Sequence, residues 1–152
     1  MLILGLLDGV ETGIRQLVRR RPLEVEEIDV GGRPLRVPTL AEIARIKAWL
    51  VLRRNATRDL DLVALADRLG PQAASVICGM DDYYADQIGP GGRRVATQIA
   101  KQLAEPAPYD LSDIDLKRYR KLDPRWRDWD RVADACRHLA ADVLDLIARG
   151  AP

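Results

Sequence analysis

The chain has 152 residues, is 47% hydrophobic and 31% charged, and carries a net charge of +1. That length bounds it to one domain, or one large and one small subdomain, with enough chain to bury a core. A charge this close to zero does not announce a nucleic-acid binder, and a single histidine, His138, argues against a His-based triad or a multi-histidine metal site.

Met1–Leu7 is too short to span a membrane and lacks a basic leader, so the chain reads as cytoplasmic. Cys78 and Cys136 have no metal-ligand spacing and lie in apolar helical runs, which predicts buried free thiols in a reducing compartment. Arg19-Arg20-Arg21 and Arg93-Arg94 read as solvated surface.

Leu2–Leu7 is apolar enough for a buried strand or a helix start. Glu11–Arg20 reads as a short helix with Ile14, Leu17 and Val18 on one face, ended by Pro22. Leu23–Val30 alternates apolar and acidic residues, and Pro34–Val37 resumes extended character after Gly31-Gly32. That pattern predicts a β-hairpin.

Thr39-Leu-Ala-Glu42 has the form of a capping box, opening a helix to about Arg54. Thr57 is placed to cap the next helix, with Asp59 and Asp61 near its positive end and Gly70-Pro71 as its stop. A third helix is predicted from Gln72 into Asp81–Tyr84. Gly89-Pro-Gly-Gly92 marks a break, read as a linker rather than a phosphate loop because no strand precedes it. Val95–Ala104 is helical by spacing, and Pro106–Asp110 is a linker. Asp113–Leu122 reads as a short helix. Asp123-Pro124 opens a long helix to Arg149, whose apolar stripe includes Trp129, Val132, Cys136, Leu139, Val143 and Ile147. The fold class is therefore α+β, mainly α: a partial sheet region over 1–38 and a helical domain over 39–152.

The 39–70 stretch carries the chemistry. On a helical wheel of about 100° per residue, Leu40, Ile43, Ala44, Leu50 and Val51 fall within about 60° of Lys47. Arg54 lies almost directly below Lys47, roughly 10 Å along the axis. Glu42, Arg45 and Arg53 occupy the opposite face. Two cations on a seam that should face inward require anionic partners. Asp59 or Asp61 could supply them and clip two helices together. Alternatively Lys47, Arg54 and Arg58 hold phosphates while a carboxylate orients them.

The order of a hairpin, V-P-T-L-x-E-I, a lysine, then R-N-A-T-R-D-x-x-x-x-A-L-A-D-R-L-G resembles the AbiEii/AbiGii-type nucleotidyltransferase toxins. The resemblance covers Leu35–Gly70 and continues loosely through Asp82–Asp86 to the tryptophans. It implies a protein of a toxin–antitoxin or phage-defence system that uses a nucleoside triphosphate and Mg²⁺, with RNA or a cognate antitoxin as further partners. Lys47, Arg54, Arg58, Asp59 and Asp61 would be its nucleotide-binding residues. The family's Gly-Ser turn and strand-borne D-x-D are missing, so the transferase expected is inactive or very weak. Asp8 and Asp29 are single acids at turns, and Asp59-Leu-Asp61 and Asp113-Ile-Asp115 read as helix caps rather than metal ligands. Tyr83-Tyr84 and Trp126/Trp129 read as helix-packing aromatics. The alternative is a non-enzymatic binding or interaction module whose Lys/Arg/Asp cluster is a helix clip. A hydrolase has no visible nucleophile–base pair.

Overall fold

The structure is a computed structural model that describes residues 2–15, 18–87, 92–118 and 122–150. It is α+β and mainly helical, with all described strands preceding the first helix. Strands β1 (Leu2–Leu7) and β2 (Val10–Arg15) form one antiparallel hairpin, and β3 (Val25–Asp29) and β4 (Pro34–Pro38) form another.

The helix expected over Glu11–Arg20 is corrected. Residues 10–15 are a strand, registered Leu7↔Val10 to Leu2↔Arg15. The decisive signal is Asp8-Gly9, where both residues take positive φ (51° and 80°). A two-residue turn with both φ positive matches the twist of paired strands and folds β2 back on β1. Leu17, the middle of that expected helix, lies outside the described residues.

The second hairpin follows its sequence. Gly31 and Gly32 take positive φ, Val30 and Arg33 exchange backbone hydrogen bonds, and the Asp29 carboxylate accepts from the Gly32 N–H at 3.0 Å. Asp29 is thus a turn-stabilising acid.

Helix α1 (Leu40–Arg53) starts where its cap predicts, the Thr39 hydroxyl accepting from the Glu42 N–H at 3.2 Å. Helices α2 (Leu62–Leu69), α3 (Gln72–Cys78), α4 (Asp81–Tyr84), α5 (Val95–Ala104) and α6 (Trp129–Ala148) follow. The third helix is interrupted at Gly79-Met80, dividing it into α3 and α4. The expected helix over Asp113–Leu122 is only a turn and one 3₁₀ turn, Leu116–Arg118, in its described part. Asp123 caps a separate 3₁₀ turn, Pro124–Trp126, and Asp128 caps α6 itself.

Helices α3 and α5 each pack against both α1 and α6. Helix α6 buries Val132, Ala133, Cys136, Leu139, Ala140 and Val143, one stripe at helical spacing. The α1 positions entering the core are Ala44, Ala48, Trp49 and Val51, so Lys47 stands at the margin of the buried face. Trp49 stacks on the buried Tyr84, with ring centroids 4.4 Å apart. Cys78 and Cys136 are free and buried, and burial drives the Cys136 thiol up to about 12.

Glu42 was expected on the solvent face of α1 and is fully buried instead. The other correction on this face concerns Arg19, whose side chain is 3% exposed and bonded to Glu42 rather than solvated. The segment around Arg19–Glu24 covers this side of the helix, fastened by Arg20 N–H to Tyr83 C=O (2.9 Å) and Thr39 N–H to Glu24 C=O (3.0 Å).

Candidate functional site

The Lys/Arg/Asp cluster lies where α1 ends and the 3₁₀ turn Thr57–Asp61 begins. Asn55 takes positive φ (51°), a conformation Asn tolerates better than most residues, and this lets the chain reverse. Its side-chain amide donates to Ala107 C=O at 2.7 Å, and its backbone carbonyl accepts from Tyr109 N–H at 3.1 Å.

Thr57 was expected to cap the next helix, but its hydroxyl is used elsewhere. Both its N–H and its hydroxyl donate to Asp110 Oδ1, each at 2.7 Å. Ala56 holds the cap position, and the buried Asp59 carboxylate accepts from the Ala56 N–H at 3.2 Å. Asp59 also receives two bonds from Arg54, one of them from Nε at 2.8 Å. This hydrogen bonding to Asp59 keeps the Arg54 guanidinium more firmly protonated than usual. Lys47 Nζ lies 2.9 Å from Asp61 Oδ1 and 3.4 Å from Arg58 C=O. Burial pushes the Asp61 carboxyl above its ordinary range, against the pull of the Lys47 ammonium.

Of the five residues named from sequence, four are joined in pairs: Lys47 with Asp61, and Arg54 with Asp59. Arg58 is exposed and has no hydrogen-bond or ion-pair partner for its side chain among the described residues. The oxygens of the two aspartates face Arg54, the Ala56 N–H and Lys47. Among the described residues no group of three or more His, Cys, Asp or Glu is disposed to hold a metal ion.

A cleft of about 330 Å³ opens beside the cluster. Leu60 and Val63 form one wall, and Leu116, Leu122, Trp126 and Val132 the other. Lys47, Thr57, Arg58 and Asp61 supply its polar atoms. Sequence reasoning found these cations but not the cleft, whose second wall comes from more than fifty residues downstream. It also missed Asp110, which fixes Thr57 and so sets the position of the turn.

The remaining motifs act structurally. Tyr83 lies beneath the Arg45 and Arg19 guanidiniums, 4.6 and 5.0 Å from its ring centroid. Asp81 accepts from Arg94 and from the Val95 N–H that opens α5. Asp115 accepts from the Lys117 N–H at 3.0 Å, and Asp113 from the Ser112 hydroxyl at 3.1 Å. Of Gly89–Gly92, only Gly92 lies within the described residues.

Comparison with known proteins places the chain beside mycobacterial transport proteins. Over 130 residues, 84% of the chain, it is 36% identical to the heme uptake protein MmpL11 of Mycobacterium tuberculosis (strain ATCC 25618 / H37Rv). It is 34% identical over 130 residues to the mycolic acid-containing lipids exporter MmpL11 of Mycolicibacterium smegmatis, and 30% identical over 131 residues to the probable transport protein MmpL11 of Mycobacterium leprae. The chain spans about an eighth of the length of these relatives (13%, 13% and 12%). No family profile matches the chain, and no solved structure matches it.

These relatives overturn the resemblance to nucleotidyltransferase toxins and the toxin–antitoxin function drawn from it, since proteins alike over 84% of the chain are named as transporters. Nor do they favour the alternative of a non-enzymatic interaction module. The misleading motif was short. Its residues form a capped helix, a reversal at Asn55 and two cation–carboxylate pairs.

Proposed function

We propose that this chain takes part in MmpL11-type transport, as a region that handles cargo rather than one that crosses the bilayer. The observation that carries this reading is the 36% identity over 84% of the chain to a protein so named. None of the described helices is long and apolar enough to cross a membrane, which accords with a role away from the hydrocarbon core. The free, buried Cys78 and Cys136 support placing this region on the reducing, cytoplasmic side.

The names of the relatives mention two cargoes, haem and mycolic acid-containing lipids. The cleft favours the lipid. Haem iron is held by His, Cys, Met or Tyr, and none of these is among the described residues that line the cleft. Its walls are aliphatic and aromatic carbon instead, the surface an acyl chain requires.

A chimaera tests the reading. In the M. smegmatis exporter, the matched segment is replaced by this chain or deleted, and surface mycolic acid-containing lipids are measured by thin-layer chromatography. Replacement should preserve export and deletion should abolish it. Undiminished export after deletion would overturn the proposal.

A further inference from the structure

We propose that the cleft between the Thr57–Val63 segment and the wall formed by Leu116, Leu122, Trp126 and Val132 is a binding site for an apolar molecule bearing one anionic head group. This deepens the transport reading by giving the cargo a chemical class, but its argument rests on the geometry of this chain.

At about 330 Å³ the cleft has the size of the smaller ligand sites. Its apolar walls are set by different parts of the fold: Leu60 and Val63 follow α1, Leu116 precedes the Pro124–Trp126 turn, and Val132 belongs to α6. Covering the apolar walls of such a cleft removes their carbon surface from water and adds dispersion contacts. A hydrocarbon chain does both.

The mouth selects the head group. Lys47 and Arg58 contribute two positive charges and Asp61 one negative, which favours a single anion. Lys47 is held by Asp61 at 2.9 Å, whereas the Arg58 guanidinium makes no hydrogen bond or ion pair among the described residues and is influenced only at longer range by the Asp110 carboxylate, which does not line the cleft. Its planar guanidinium presents a two-pronged donor suited to carboxylate or phosphate oxygens. Thr57 cannot take this role while its hydroxyl donates to Asp110.

The purified chain would be titrated with decanoate, decyl phosphate and decyltrimethylammonium, by calorimetry and by fluorescence of Trp126, which lines the cleft. Saturable one-to-one binding is expected for at least one of the anions. The preferred anion identifies the head group as carboxylate or phosphate. The cationic probe should bind at least about tenfold more weakly. Arg58→Gln, at an exposed position, should weaken anion binding about tenfold, and Leu116→Trp should block the cleft. Circular dichroism confirms that both variants fold. Absence of saturable anion binding, equal binding of the cationic probe, or unchanged affinity in folded Arg58→Gln would overturn the proposal. Failure here leaves the export chimaera untouched, so the two readings fail separately.

Discussion

The Arg19 guanidinium is bonded to the Glu42 carboxylate inside the protein, with side chains 3% and 0% exposed. The residues are 23 positions apart, and their contact seals the segment before the second hairpin onto α1. Glu42 accepts further bonds on its other oxygen, from Arg45 at 3.1 Å and the Glu24 N–H at 3.4 Å. Burial alone would ease the proton off Arg19, but the hydrogen bond it donates to Glu42 and the charge of that carboxylate help hold the guanidinium charged.

Removing one partner from such a pair leaves a buried charge uncompensated. Glu42→Gln is therefore expected to cost about 3–5 kcal/mol in urea unfolding. An apolar replacement of both partners, Arg19→Met with Glu42→Leu, should recover a large part of that loss. A single substitution costing less than about 1 kcal/mol, the range of an exposed pair, would show that Arg19 reaches water in solution.

Asp59 presents a different balance. It is buried, but Arg54 is about one-quarter exposed and can recover water if released. Asp59→Asn keeps the shape and an acceptor for the Ala56 N–H, losing mainly the charge against Arg54. The expected cost is about 1–3 kcal/mol. The second expected change is local: the Asn55–Asp61 reversal should exchange its amide hydrogens faster than α6 does. Uniform protection across both segments in the variant would contradict this.

Asp110 gives the chain an acid-side sensitivity. Burial raises its carboxyl, but hydrogen bonds from the Thr57 N–H and hydroxyl outweigh that and hold it below the ordinary value of 3.8. A lowered folded-state value contributes stability that is fully present above the unfolded value and lost as pH falls through the folded one. The stability difference between the natural chain and Asp110→Ala should thus be full at pH 7, about 1–2 kcal/mol, and should shrink below about pH 4. Urea midpoints across pH 2.5–7 would measure it. A difference that stayed constant over that range would mean that the hydrogen bonds do not depend on the charge.

The sequence made the local elements legible and left the joins hidden. The α6 stripe repeats over five turns, long enough for its period to be unmistakable. Gly31-Gly32 and the Thr39 cap each act within four residues. Strand β2 was misread because six residues cannot distinguish a 3.6-residue period from a two-residue one, and the Asp8-Gly9 turn carried the answer. Arg19–Glu42 and Thr57–Asp110 could not be read at all. Their partners are 23 and 53 residues apart, and nothing local distinguishes a buried arginine from its solvated neighbours. The cleft was hidden for the same reason: its two walls meet only after the helices pack.

Strand β1 is apolar at every position except Gly5, yet Leu4 and Leu6 are each 74% exposed and Ile3 and Leu7 more than half exposed, as is Val10 at the start of β2. Leu4 and Leu6 share one face of the hairpin, while Ile3, Leu7 and Val10 lie on the other. A strand apolar on both faces has the pattern of an inner strand, but among the described residues β1 pairs only with β2. Such a hairpin adds little to the stability of the helical core. The double substitution Leu4→Lys/Leu6→Lys is therefore expected to change unfolding stability by no more than about 0.5 kcal/mol. It should also suppress concentration-dependent association, because charges on an open edge oppose strand pairing between molecules. Light scattering across a concentration series, read beside thermal melts, separates the two effects. A large fall in melting temperature would show that the hairpin packs on the helices in solution.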